Sequence, residues 1–511
     1  MRIKKITFIR RLNIFILIIY SFYLSGCTGD DNNNSNIPIH PGNVSTWILH
    51  SLEDISSYKS TNISDKTSLQ IVKNEYEHFQ LVFQVNQDDV FSVTHSKNIT
   101  GLQFDCRTIA SFEGHEDILV PCNGIINTFE KTSKLWITYH ATSQTVAGEY
   151  QDTITFIGHT QQFRIEVTVE VVNLSLPETP SIASLFGIYP NNLMPADTTI
   201  AEWEHKYKEM SDLLLDYRIS PFSNITGTTS PYAWNDPRTI TYLSDKRLSR
   251  IGLPILSKEE DLKNMLDIIR QNGLMNKSYF YAADEPTTLE AYARIRANAD
   301  LIHKIAPDGK IMVTLYTGPD NPPGPDVNDL LIAIDDLKET VQIFCIDDWT
   351  LQNNEEYTKK CREKIQPYGE WWTYNCMGMI PGLANNSSPV ENRLMLWKSW
   401  KEQATGFLFW SVNAFASTDP LASNTNLPSG DGVLVYPGKP FGSVTPVVSI
   451  RLERWRDGAE DYELLVMTEK KKGRNTAETL LEKVYLNPTQ FVSNPLNISS
   501  FKTHMIQEIL E

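Results

Sequence analysis

Asp284 and Glu285 stand side by side in Ser278-Tyr-Phe-Tyr-Ala-Ala-Asp-Glu-Pro286. Neighbouring Cα atoms are about 3.8 Å apart, so both carboxylates approach a substrate from one side. They cannot straddle a sugar ring at the ~5–5.5 Å of ordinary retaining glycosidases, or at the ~6.5–9.5 Å of inverting ones. If such a pair cleaves a glycosidic bond, the attacking atom should come from the substrate. A 2-acetamido sugar offers its carbonyl oxygen, which can close on C1 to form an oxazoline. Glu285 would protonate the leaving oxygen and later activate water, while Asp284 would hold the acetamido N–H. Burial and a like charge raise the pKa of the acid that must carry a proton, which suits that division. The plainer reading is that both acids only cap the following helix, whose N-terminus favours anions.

The ends of other predicted strands supply rings and polar groups. They are Tyr316, Trp349 after Asp347 and Asp348, Trp372 and Tyr374, and Trp410 with Asn413. A Trp can stack on a sugar face, and a Tyr hydroxyl can donate to an acetamido carbonyl. Taken singly, each ring is more often barrel core than ligand; their clustering at strand ends points to a cleft. Asp347 or Asp348 is the rival nucleophile for a conventional retaining mechanism.

The elements that must position these groups are legible from hydrophobic periodicity. Ser278–Ala283 reads as a buried strand stopped by Pro286. Thr287 and Glu290 read as a capping box opening a helix to about Ile305. Around them, short β-rich runs alternate with helical stretches from about residue 182. The strands are Ala183–Tyr189, Arg218–Phe222, Gly252–Leu256, Ser278–Ala283, Lys310–Tyr316, Val341–Ile346, Glu370–Tyr374 and Gly406–Ser411. Eight strands at this spacing predict a (β/α)8 TIM-like barrel over 182–471, with chemistry at the strand C-termini. An open doubly wound sheet is the alternative, but no glycine-rich turn follows the first strand. A loop from Val412 to Thr445 leads to a last strong helix from about Pro446 to Lys471, and 472–511 reads as a helical appendage.

Before the barrel, 40–177 reads as an all-β sandwich domain of short alternating strands. The charged start of Asn74–Val82 reads as a solvated strand end, with a contact to the next domain or to the substrate as the alternative. Leu176-Pro-Glu-Thr-Pro180 is a stiff linker. At the N-terminus, basic residues and the run Ile14–Tyr20 lead to Leu24-Ser-Gly-Cys27. This order resembles a lipoprotein signal peptide over 1–26, with Cys27 as the lipidation site and 27–39 as a polar tether. The expected location is the cell envelope, with the outer membrane reached through that anchor alone.

The formal charge of the 511-residue chain is −16, which argues against nucleic-acid or anionic-membrane partners. Apolar content of 41% with 21% charged residues predicts a globular protein, and its length predicts more than one domain. Cys106 and Cys122 fall in one predicted domain and could pair, since export permits disulfides. No His/Cys spacing suggests a metal site, and the chemistry calls for no cofactor.

Several segments together resemble glycoside hydrolase family 123 and the wider domain of unknown function 4091. They are Asn74–Val82, Asp284-Glu-Pro286, Trp371-Trp-Thr-Tyr374, Arg393–Trp397, Gly406–Trp410, Gly430–Gly438 and Ile450–Tyr462. The segment after Tyr374, Asn375–Pro381, departs from the family pattern. The resemblance implies a β-N-acetylgalactosaminidase with an N-terminal β-sandwich and a barrel, acting on a glycan that carries a 2-acetamido sugar. It implies Glu285 as acid/base and Asp284 as the acetamido-orienting residue. The last of these motifs reads as mainly structural: Arg454, Asp457, Glu460 and Asp461 fall at helical spacings that permit ion pairs. Arg451 is the member expected to reach the cleft. A non-catalytic glycan-binding lipoprotein is the remaining alternative.

Overall fold

The computed structural model describes residues 44–96, 99–193, 199–316, 330–351, 354–416, 419–423 and 426–511. The predicted signal peptide, Cys27 and the predicted tether lie outside the described residues.

Eight parallel strands build the central sheet. They are numbered β1 (Ala183–Ile188), β2 (Ser220–Ser223), β3 (Ile251–Leu253), β4 (Ser278–Ala283), β5 (Ile311–Leu315), β6 (Ile343–Asp347), β7 (Glu370–Asn375) and β8 (Gly406–Phe409). Their order is β2-β1-β8-β7-β6-β5-β4-β3, so the sheet curls into a nearly closed barrel whose free edges are β2 and β3. That seam is held by the chain just beyond β2. Thr229 N–H donates to the Gly252 carbonyl at 3.0 Å, and Gly252 N–H donates to Thr229 Oγ1 at 2.9 Å.

These strands are almost continuously apolar because both faces are covered. Tyr279, Met312, Ile343, Cys345, Trp372 and Leu408 fill the interior, whereas Phe280, Val313, Phe344 and Trp371 face the surrounding helices. The alternation follows the period of two along each strand.

The structure shifts several boundaries for identifiable reasons. β2 starts at Ser220 rather than Arg218, because Arg218 sits at φ 62°, a turn conformation. β3 ends at Leu253, where Pro254 has no N–H to give the ladder. The helix after β4 runs Leu289–Ile305, with Thr288 as its cap. Glu290 pairs with Arg294 at 2.8 Å, so the predicted capping box is replaced by a single cap one residue later.

The N-terminal region is sheet-rich. One seven-stranded sheet runs Val44–His50, Glu75–Val85, Thr132–Ala141, Leu102–Phe112, His115–Pro121, Val447–Ser449 and Val435–Tyr436 in spatial order. A five-stranded sheet contains Lys66–Lys73, Gln162–Ser175, Gly148–Ile157, Val90–His95 and Ile125–Asn127. Phe79, Phe83, Phe91, Phe156 and Ile165, drawn from both sheets, share one apolar cluster. The last two members of the larger sheet come from the far end of the chain. Val448 pairs with Leu119, so Val447–Ser449 is a strand and the long helix begins only at Ile450.

That helix, Ile450–Lys472, is buried along most of its length despite its charges. Glu453 and Arg456 pair along the helix, and most of the other charges meet partners on other elements. Arg107 meets Glu453 at 2.6 Å, His78 meets Asp457 at 3.2 Å, and Arg393 meets Asp461 at 2.6 Å. Arg454 donates to the Ser51 carbonyl, and Glu460 accepts from the Tyr76 amide. The charged start of strand Glu75–Val85 is therefore a buried contact, with the long helix through Tyr76 and His78 and with Lys502 of the last helix, Pro495–Leu510, through Glu75 and Glu77, not a solvated end.

Candidate active site

A cavity of about 240 Å³ opens at the C-terminal ends of the barrel strands. Residues that end or follow β1 (Tyr189), β2 (Phe222, Asn224), β4 (Asp284, Glu285), β7 (Tyr374, Cys376, Met377) and β8 (Leu408, Trp410) line it, with Thr314 from β5. This is the face where parallel barrels place their chemistry. Among the described lining residues, Asp284 and Glu285 are the only carboxylates.

The two acids are held differently. Asp284 Oδ1 accepts from the Tyr281 hydroxyl at 2.7 Å and from Thr314 Oγ1 at 2.8 Å. With one oxygen saturated by protein donors, Oδ2 is left to accept from a ligand N–H. Asp284 is exposed, whereas Glu285 is only partly so. Glu285 sits at φ 44°, a conformation that non-glycine residues rarely hold without support. Support comes from its own amide, which donates to Thr314 Oγ1 at 3.1 Å. Its Oε1 accepts from the Tyr374 hydroxyl. Burial raises the Glu285 pKa, the neighbouring Asp284 charge adds to the rise, and the Tyr374 hydrogen bond partly offsets it. A carboxyl whose pKa is raised keeps its proton to higher pH, which suits a general acid.

One wall is made of rings. Tyr189 and Trp410 meet edge to face, with centroids 6.0 Å apart at 78°. Asn224 donates to the Trp410 carbonyl. The indole lies against Gly432, where an added Cβ would come within 2.2 Å of it. Gly187 is equally constrained, since a Cβ there would lie 1.8 Å from Asn224 Oδ1.

Of the residues singled out in the sequence, Asp284, Glu285, Tyr374 and Trp410 meet in the cavity. Asn413 stands behind it: its Oδ1 accepts from the Tyr189 amide at 2.8 Å and its Nδ2 donates to the Tyr189 carbonyl at 3.0 Å. Tyr316 packs against the interior cluster beside Tyr281 and Cys376. Trp372 is deep in the barrel, donating to Glu370 at 3.0 Å, and Trp349 is not among the lining residues. Arg451 is buried away from the cavity, in contact with Asp117 and with the carbonyls of Gly430 and Val433.

Asp347 and Asp348 also lie outside the lining. Asp347 is fully buried and accepts from the Trp349 amide at 2.7 Å and the Cys376 thiol at 3.4 Å. Burial, and then the Asp348 charge, push its carboxyl well above the usual range. Asp348 is turned toward the helix Pro389–Lys401, where Lys398 meets it at 2.8 Å.

Sequence reasoning missed Tyr189, Asn224, Tyr281 and Thr314. Tyr281 and Thr314 sit on inward positions of their strands, and the period-2 alternation was a usable signal for both. Asn224 follows a four-residue strand with no local motif to mark it.

Residues 231–468 match the family model described as the catalytic domain of glycoside hydrolase 123. No curated protein matches the chain. Among solved structures, a family 123 glycoside hydrolase from Clostridium perfringens, studied for glycolipid glycan hydrolysis, superposes with a TM-score of 0.67 at 15% identity, covering 91% of this chain and 98% of that one. A putative β-galactosidase from Bacteroides fragilis matches with a TM-score of 0.27 at 11% identity, over 76% of this chain and 57% of that one. Residues 231–468 thus match a family 123 catalytic domain, and the chain is a glycoside hydrolase.

Proposed function

We propose that the chain removes terminal β-linked N-acetylgalactosamine from glycans, with retention, by substrate-assisted catalysis through an oxazoline. The observation that carries this reading is the pairing of one open and one half-buried carboxylate on adjacent residues, with no third carboxylate on the cavity wall among the described residues. Glu285 donates its proton to the leaving oxygen as the C1–O bond breaks, and the acetamido oxygen bonds to C1. Asp284 Oδ2 accepts the acetamido N–H and steadies the positive charge that develops on the oxazolinium. Water then attacks C1 while Glu285 takes its proton, which restores the acid. The Tyr189–Trp410 corner offers a stacking surface, and a cavity of about 240 Å³ has room for one sugar rather than a chain, in keeping with exo action.

A conventional nucleophile has less support: Asp348 is ion-paired to Lys398, and Asp347 is sequestered with Cys376 and Trp349. In this reading the two N-terminal sheets form a β-sandwich over 40–177, the barrel closes as a (β/α)8 unit over 182–471, and 472–511 is an appendage. Cys27 anchors the mature protein in the outer membrane after removal of 1–26.

The deciding experiment compares p-nitrophenyl β-N-acetylgalactosaminide, the β-N-acetylglucosaminide and the plain β-galactoside. Only acetamido sugars should be cleaved, the galacto form fastest. Turnover of the plain galactoside would reject substrate assistance.

A further inference from the structure

Cys106 and Cys122 face each other across an antiparallel pair. Arg107 pairs with Pro121, so the register sets Cys106 opposite Cys122, one step further along both strands. The Cys122 amide donates to the Cys106 carbonyl at 3.4 Å. Directly opposed residues of such a pair have Cα atoms about 5.5 Å apart, inside the ~4.4–6.8 Å span that a disulfide bridges. The sulfurs are not bonded in the structure.

The two environments are unequal. Cys106 is 6% exposed within the sheet core, whereas Cys122 is half-buried and borders an open groove lined also by Asn123, Ile125 and Phe129. A tight turn fixes Cys122, because the Ile125 amide donates back to its carbonyl at 2.9 Å and Asn123 and Gly124 take left-handed conformations.

We propose that Cys106 and Cys122 are a thiol–disulfide couple, with Cys122 as the entry sulfur and Cys106 as the resolving one. The co-reactant is a small or protein disulfide. Cys122 loses its proton, and its thiolate attacks one sulfur of that disulfide, breaking the S–S bond and expelling a thiolate. Cys106 then loses its proton and attacks the Cys122 sulfur, expelling the second half. The protein loses two hydrogens, and the donor disulfide becomes two thiols. The Cys122 thiol is lowered to about 7, chiefly by its contact with Cys106, while Cys106 is raised by that same contact and by burial; both shifts suit the proposed order.

The bond would tie the open end of the hairpin Leu102–Phe112/His115–Pro121. That hairpin carries the C-terminal strand Val447–Ser449 and presents Asp117 to Arg451. Oxidation would lock the register on which that contact depends.

The test treats the full chain with oxidised glutathione under native conditions, blocks free thiols and maps peptides by mass spectrometry. The expected product is a Cys106–Cys122 cross-link in the wild type. Cys106→Ser should retain one glutathione on Cys122, and Cys122→Ser should leave Cys106 unmodified. A stable glutathione adduct on wild-type Cys122, or two free thiols after treatment, would overturn the couple. Modification of Cys106 in Cys122→Ser would overturn the order of attack.

Discussion

The Tyr374 hydroxyl, on β7, donates across the cavity to Glu285 Oε1 at the end of β4. A donor to a carboxylate favours its ionised form, so this bond holds the Glu285 pKa below the level that burial and Asp284 would set. Tyr374→Phe removes that restraint, and the Glu285 pKa should rise. The first step of the proposed mechanism needs the protonated acid, so the alkaline limb of kcat/KM should move to higher pH. The pH profile on an acetamido-sugar substrate reads this directly; an alkaline limb that moves down or stays fixed would mean Glu285 is not the group that titrates.

Asp284→Asn acts in the opposite sense. It removes the like charge that raises Glu285, so the alkaline limb should shift to lower pH. In the proposed mechanism it also removes the anion that faces the acetamido nitrogen, and kcat should fall by roughly 10²–10³, the range for removing one transition-state electrostatic contact. The thiazoline analogue of the oxazoline should bind the variant more weakly than the wild type. Equal inhibition would detach Asp284 from the acetamido group.

Glu285→Gln should lower kcat by about 10²–10⁴ with little change in KM, as expected for loss of a proton donor that contributes to the transition state. Substrates with highly acidic leaving groups should lose less in the first step, because they need no protonation. A uniform loss across leaving groups would argue that the change damages binding or folding.

How far the site was legible followed from where each signal lives. β4, its two acids and the alternation of barrel strands with helices are local patterns, and Ser278–Ala283 has the predicted bounds. Tyr374 and Trp410 were recoverable as strand-end aromatics. Arg451 was misplaced because helical spacing gives a residue's face but not the partner across it, here Asp117, 334 residues away in sequence. The same limit hid Val447–Ser449, whose strand conformation is fixed by pairing with His115–Pro121 rather than by its own residues. Trp372 shows the converse: an inward aromatic reads alike whether it reaches the cavity or fills the barrel below it.

Gly432→Ala should damage binding more than fold. Gly432 lies at φ 70°, and a methyl group there would come within 2.2 Å of the Trp410 indole. The ring must tilt off its corner with Tyr189, so KM should rise several-fold while kcat changes less. Kinetics at saturating and limiting substrate separate the two parameters. A loss of kcat at unchanged KM would place Trp410 outside the sugar-binding wall.

Arg451 and Asp117 are 3% exposed each, and their contact joins the long helix to the N-terminal sheet. The guanidinium also donates to the carbonyls of Gly430 and Val433, which flank the glycine under Trp410. Arg451→Met leaves the Asp117 carboxylate buried with only the Tyr436 hydroxyl in place of the guanidinium. Removing one partner of a buried ion pair costs about 3–5 kcal/mol, so the denaturation midpoint should drop sharply. Asp117→Asn should cost less, because the amide stays polar and the positive charge still faces three carbonyl groups. The double variant should fall short of the sum of the two, since both act on one contact. Urea melts of the wild type and the three variants settle the coupling, and kinetics on any folded variant settle the rest. A substrate-binding arginine would raise KM and leave stability untouched; a structural one should show the reverse.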